Sequence, residues 1–302
     1  MIASWTKSAT VRGVSDATRT TRMTDTAKNQ TTIQFSGSRA AGWKKWFHIT
    51  DATAQPVSDR MVALAGIGPG SRVLDIGTGL GEPALTAARA AGPTGSVLAA
   101  DISPDMLDFA QDRARKDGLT NVEFRVLDAN ALDLPEASFD AVLSRWGLMF
   151  LALDDALAGI RHCLKPGGRL VAVVWGPPEG APTNSLADRV LRRTLNLPPP
   201  EEGPGTPFAL KDTDAFVERV RQAGFRDIQS EWIEVLVPFD SPAQFAEYRR
   251  DRAGDIKKKM AHLSPAEQDA AWDAVAKAAE AFREADGVVR MRNRAFCLSA
   301  TR

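Results

Sequence analysis

The stretch from Val73 to Leu85, VLDIGTGLGEPAL, constrains the fold more than any other part of the chain, because a buried strand, a glycine-rich turn and a helix start follow one another in it. Val73, Leu74 and Ile76 supply the apolar side chains of the strand. Gly77, Gly79 and Gly81 let the backbone turn sharply and approach a ligand with no Cβ in the way. Glu82 and Pro83 read as the opening of a helix, since proline suits a first helical position and an acidic residue suits the positive helix end. The turn is therefore expected to face a nucleotide-shaped ligand with free backbone donors.

Two details bear on which ligand. Glycines at 77, 79 and 81, with Thr78 between the first two, read GxGxG, whereas the dinucleotide fingerprint wants its third glycine at 82, where this chain has glutamate. Asp75 lies just before the turn, and a carboxylate there repels a pyrophosphate but suits a ligand carrying an ammonium and a sulfonium. S-adenosylmethionine fits that description. Asp101 ends the apolar run SVLAAD and precedes a helix opened by Ser103 and Pro104, near the ~20-residue distance at which a carboxylate accepts ribose hydroxyls. NAD needs this acid too, so Asp101 indicates adenosine without naming the molecule. A third strand, VEFRVLDA from Val122, ends at Asp128 and Ala129. Its carboxylate could take the exocyclic amine of adenine or cap a turn, and both readings stand.

Four segments then occur in the right order at ordinary βα spacing: VLDIGTGLG, AADIS with Met106 shortly after, LDA at Leu127, and FDAVLSRWGLMFL followed by LKPGGRL. In these the chain resembles the class I S-adenosylmethionine-dependent methyltransferases, and within them the small-molecule group of ubiquinone and menaquinone biosynthesis enzymes. The resemblance spans roughly a hundred residues. It implies that Asp75, Gly77, Thr78, Gly79 and Gly81 line the methionine part of the cofactor and that Asp101 holds the ribose. Ile102 and Met106 would sandwich the adenine, Asp128 and Ala129 would meet its edge, and Ser144, Arg145 and Trp146 would face cofactor and substrate.

The fold expected from the alternation is α/β: a Rossmann-like, seven-stranded, mostly parallel sheet with helices on both faces. Strands start near Arg72, Ser96, Val122, Phe139 and Gly168, with later ones over 228–239 and 288–299. Between the last two lies a mostly helical insertion of about residues 241–287, far longer than a hairpin needs, which reads as a lid over the carboxyl ends of the strands. Residues 41–302 form one methyltransferase domain on this reading. Residues 1–40, rich in Thr, Ser, Arg and Ala, read as a disordered tail or a mis-called start, with Met23 as the alternative beginning.

Lysine plus arginine equals aspartate plus glutamate at 38 each, so no global field attracts nucleic acid or an anionic membrane. No apolar run approaches the ~20 residues of a membrane span. Cys163 and Cys297 stand far apart, which argues against a disulfide scaffold and against a thiolate metal site, and the reaction requires no metal. A cytoplasmic enzyme, monomeric or homodimeric, with a small-molecule methyl acceptor as its partner is the resulting expectation.

For the acceptor pocket, Trp43, Trp46 and Phe47 share one side of an expected helix, with packing favoured for Trp43 and pocket contact for Trp46 or His48. A second helix is expected to begin at Pro56. Trp146, Met149, Trp175 and Tyr248 are further candidates for the pocket walls, and either Arg249 or Arg250 could hold an anionic substrate. His48 is the candidate general base, with packing as its ordinary alternative, and Arg145 is a candidate for orienting the acceptor or stabilising an anion. Two further readings remain open: a non-catalytic adenosylmethionine-binding protein, and an NAD-linked oxidoreductase that the GxGxG spacing and Asp75 disfavour.

Overall fold

The computed structural model describes residues 38–200 and 203–302, so the expectation for the first forty residues lies almost wholly outside the described part. Helices α1 (Ser38–Lys45) and α2 (Phe47–Ala65) lead into β1 (Arg72–Ile76), α3 (Ala84–Ala91), β2 (Ser96–Asp101), α4 (Pro104–Lys116) and β3 (Val122–Val126). Then come β4 (Phe139–Arg145), α5 (Leu153–Cys163), β5 (Leu164–Trp175), α6 (Pro182–Thr194), α7 (Thr213–Gln222) and β6 (Arg226–Phe239). Helices α8 (Pro242–Asp251), α9 (Asp255–Lys259) and α10 (Pro265–Ala279) separate β6 from the last strand, β7 (Val289–Thr301).

The seven strands form one sheet in the order β3-β2-β1-β4-β5-β7-β6. Strands β1 to β5 run parallel, and β7 is antiparallel to both β5 and β6. Successive residues of β1 and β5, which point to opposite faces, are alike buried, so helices cover both sides and the strands read as continuous apolar runs. From β1 the chain winds outward through β2 and β3 on one side and then returns to β4 and β5 on the other. The order reverses between β1 and β4, where open α/β sheets form a ligand crevice beyond the strand ends.

Three local expectations change. Strand β5 begins at Leu164 rather than Gly168, because Leu164 pairs with Phe139 before the register shifts and Ala141 meets Arg169. Helix α2 runs unbroken from Phe47 with Pro56 inside it. A proline inside a helix costs about 3 kcal/mol, but α2 buries Val57, Met61, Val62 and Ala65 in the main core, and burial of this kind outweighs local preference. The third change concerns Trp46, which caps α2 after α1 has stopped at Lys45. Trp43 and Trp46 therefore do not share a helix face.

The segment between β6 and β7 is helical, as the sequence suggested, and α10 packs on α8 and α6 while α8 touches α1. Lys45 reaches Glu247 and Asp251 at 2.7 Å each, and the Trp46 indole donates to Asp251 at 2.8 Å. The N-terminal helices are thus latched to the insertion. Among the described residues no helix is long and apolar enough to cross a membrane. Cys163 and Cys297 are buried free thiols whose pKa values burial pushes up to about 12, which fits packing rather than reactivity.

Candidate functional site

A cavity of about 290 Å³ lies at the carboxyl ends of β1, β2 and β4, lined by Ile76 to Leu80, Ala100 to Ile102 and Arg145 to Gly147. The glycine turn supplies its first wall. Gly77 has φ +72°, and a Cβ there would stand 3.3 Å from the Gly147 backbone as well as forcing a side chain into a left-handed conformation. Gly81 does different work. It does not line the cavity, and its missing side chain makes room for Leu85 and Ala110, where a Cβ would stand 3.1 and 3.2 Å away.

The amides of this turn are less available than the sequence suggested. Gly77 and Thr78 donate to the Ala100 carbonyl at 2.8 and 3.0 Å, Gly81 donates to Thr78, and Gly79 donates to Asp101 Oδ2 at 2.8 Å. The turn therefore shapes a surface and locks β1 to β2 more than it offers donors. Nor does the helix open at Glu82: Pro83 stands at the cap position after a cis bond, and α3 begins at Ala84.

Asp75 is fully buried behind the turn, where its Oδ2 accepts the amide of Ala84 at 3.1 Å. It does not line the cavity. Burial pushes its pKa up to about 7, with Thr78 and Arg145 among the groups that oppose the rise. Ser144 is likewise buried outside the lining, donating to the Ile76 carbonyl at 2.9 Å. These two residues hold the site together from behind.

Asp101 stands in the cavity wall at the end of β2. Its two oxygens accept the amides of Gly79 (2.8 Å) and Ser103 (2.9 Å), which leaves each oxygen a further lone pair. Burial raises its pKa and these amide bonds oppose the rise. Ile102, Met106, Asp128 and Ala129 follow along the same wall, joined by Leu127 and Asn130, which sequence reasoning did not single out. Asp128 Oδ1 accepts both the amide and the side-chain nitrogen of Asn130, so Asp128 has the turn-capping role that the sequence left open.

Helix α2 closes one side. Asp51 accepts from Arg113 at 2.9 Å, and Arg113 also donates to the Leu80 carbonyl of the glycine turn at 2.7 Å while lying over the Phe47 ring. Arg145 lines the cavity and donates to the Ala54 carbonyl and the Ser58 hydroxyl of α2, at 3.1 and 2.8 Å. Burial lowers its pKa, but a guanidinium keeps its charge. It fastens β4 to α2.

Trp146, Met149, Trp175 and Tyr248 all line the cavity, and the Trp146 and Trp175 rings stack at 4.7 Å and 8°. Trp46 and His48 do not. Trp46 is buried against Tyr248 and Asp251, and His48 is exposed, because the break at Trp46 sends both away from the face that Trp43 and Phe47 present. None of the three histidines lines the cavity. The sequence order of preference is reversed: Trp43 lines the cavity, with the Arg252 guanidinium 3.3 Å from its ring centre. Thr183, Asn184, Val235, Val237, Arg249 and Asn293 also line it and carried no local signal beyond the basic pair at 249–250.

Residues 73–168 match the model of a family described as a methyltransferase domain. Over 130 residues the chain is 39% identical to the ubiquinone/menaquinone biosynthesis C-methyltransferase UbiE of Pseudomonas putida (strain GB-1), covering 42% of this chain and 49% of the relative. The chain spans about half the length of the curated relatives it matches. Among solved structures, the 4+2 cyclase SpnF is 25% identical at a TM-score of 0.50, covering 82% of this chain and 80% of SpnF. The YcgJ protein of Bacillus subtilis shares the fold, with a TM-score of 0.53 at 19% identity, covering 81% of this chain and 97% of YcgJ. Residues 73–168 are thus similar to a methyltransferase domain.

Proposed function

We propose that this protein transfers the methyl group of S-adenosylmethionine to a small-molecule acceptor. The observation that carries this reading is Asp101 at the end of β2, tied to Gly79 of the turn and facing the crevice where the strand order reverses. The residues present suit the cofactor. Asp101 keeps lone pairs for ribose hydroxyls, Ile102 and Met106 offer apolar faces for adenine, and Asp51, Glu82, Asp101 and Asp128 give this half of the cavity an acidic lining suited to an ammonium and a sulfonium.

Bound there, the cofactor supplies an electrophilic methyl carbon on a positively charged sulfur. The chain's own contribution is positioning and exclusion of water. Arg113 and Arg145 hold α2 against the turn and against β4, so the wall beside the donor is fixed before an acceptor arrives. The Trp146–Trp175 stack, Val235 and Val237 form an apolar surface for the acceptor, and the helical segment 241–287, latched to α1 through Lys45 and Trp46, is the lid that keeps water out. With no histidine in the lining, a general base is not His48, and Arg145 is a positioning residue.

Residues 41–302 act as one domain on this reading, and the two buried free thiols suit a reducing cytoplasm. The UbiE relatives are by name C-methyltransferases of ubiquinone and menaquinone biosynthesis, and an apolar ring fits the stacked tryptophans. Similarity to a 4+2 cyclase favours a second reading, in which the same fold performs chemistry other than methyl transfer. Incubation with S-adenosylmethionine labelled in its methyl group and an extract of the source organism separates the two. A labelled small molecule identified by mass spectrometry supports transfer; cofactor binding with no labelled product across repeated extracts refutes it.

A further inference from the structure

The carboxylates lining the cavity are unevenly placed, whereas its arginines, Arg113, Arg145, Arg249 and Arg252, stand on both sides. All four lining carboxylates, Asp51, Glu82, Asp101 and Asp128, stand on the side built from α2, the glycine turn and the ends of β2 and β3. The wall built from α6, β6 and α8 contributes no carboxylate, yet Arg249 lies in it.

Arg249 has little to balance its charge. Its Nη2 donates to the Asn184 carbonyl at 3.2 Å and its Nη1 reaches Asn184 Oδ1 at 3.5 Å, both neutral partners. Its Nε is sealed from solvent with no hydrogen-bond partner among the described residues. Asp188, the acid whose field reaches it, is held by Arg192 at 2.6 Å. Burial pulls the Arg249 pKa down to about 10, so the guanidinium is still charged at neutral pH. A buried guanidinium whose hydrogen-bond partners are all neutral is costly unless something else supplies a counter-charge. Arg250, its neighbour, differs in being exposed and paired with Asp269 at 2.7 Å.

We propose that the methyl acceptor is a carboxylic acid with an apolar or aromatic body, its carboxylate bound by Arg249. The inference rests on the methyltransferase reading. Each Nη of a guanidinium carries two N–H donors, and Asn184 takes one from each, so Nη–H donors of Arg249 remain for the oxygens of a carboxylate at the cavity wall. Tyr248 and Val237 line the same cavity and offer apolar surface for the rest of the molecule. The positive acceptor wall and the acidic donor wall would orient such a substrate in one direction only.

The test uses the full chain with and without S-adenosylhomocysteine, titrated calorimetrically with benzoate, 4-hydroxybenzoate and hexanoate, each against its primary amide, and with phenyl phosphate. Hydrogen bonds to a charged group predict that at least one acid binds about tenfold or more tighter than its amide. Arg249→Gln is expected to abolish that preference and Arg249→Lys to keep part of it. Acid and amide binding alike, no binding by any carboxylate, a preference that survives Arg249→Gln, or phenyl phosphate binding better than every acid overturns the proposal. The wild-type acid-to-amide ratio decides even if a variant fails to fold. Failure to bind S-adenosylhomocysteine strikes the methyltransferase reading instead, and normal binding of it without carboxylate preference strikes only this inference.

Discussion

Replacing Asp75 with asparagine should make the protein relatively more stable as pH rises. Asp75 is fully buried at the end of β1, and its structural contact is acceptance of the Ala84 amide at 3.1 Å, which an asparagine carbonyl can also provide. Burial pushes its pKa from the ordinary 3.8 up to about 7. Between those two values the folded chain keeps a proton on Asp75 that the unfolded chain has released. The folded state therefore binds more protons, and this residue's contribution to stability is full below about pH 4 and is lost as pH climbs to about 7. A shift of about three units corresponds to roughly 4 kcal/mol at ~1.4 kcal/mol per unit, as an upper figure. Asparagine has no such loss. Urea unfolding of both proteins at pH 5 and pH 8 cancels the pH dependence shared by all other groups, and over that window, which holds about two units of the shift, the difference should move toward the variant by up to roughly 3 kcal/mol. A difference that stays flat, or moves toward the wild type as pH rises, would show that Asp75 is ionised in the fold and would refute the reasoning.

Asp101→Asn keeps the shape of the side chain but leaves one acceptor oxygen for the amides of Gly79 and Ser103 and removes the charge facing the crevice. Affinity for S-adenosylhomocysteine should fall about 10- to 100-fold by calorimetry, from the loss of hydrogen bonds to a charged group; unchanged affinity would remove Asp101 from the cofactor site. His48→Ala should leave both the rate of methyl transfer and its pH profile within about twofold of wild type, since a factor of two is under ~0.5 kcal/mol of barrier. A large fall at saturating substrate, or a vanished limb of the pH profile, would return His48 to catalysis.

The donor half of the cavity was legible because it is local in sequence. Residues 76–82, 100–106 and 127–130 follow the ends of three consecutive strands, and the parallel sheet, buried on both faces, announces those strands as apolar runs. What the pattern did not show is which residues of each motif face the cavity. Asp75 and Gly77 are two residues apart, yet one is sealed behind the sheet and the other lines the site. The aromatic stripe at 43–47 misled for a definite reason: its spacing is that of one helix, and the structure breaks the helix at Trp46, exchanging the places expected for Trp43 and Trp46.

The acceptor half could not be read locally, because Trp43, Trp175, Asn184, Val237 and Arg249 come from five separate elements and meet only when the sheet closes with β6 and β7. This difference has a chemical side. Asp75 sits behind the turn with a raised pKa, so its charge is a poor argument for a sulfonium, and the field that favours one comes from Asp51, Glu82, Asp101 and Asp128. Arg113 and Arg145 lie on the same side but are tied to α2, one of them through the Asp51 carboxylate, whereas Arg249 has only neutral partners. A buried cation whose hydrogen-bond partners are all neutral, and whose nearest acid is already held by Arg192, leaves electrostatic complementarity to be completed by the acceptor.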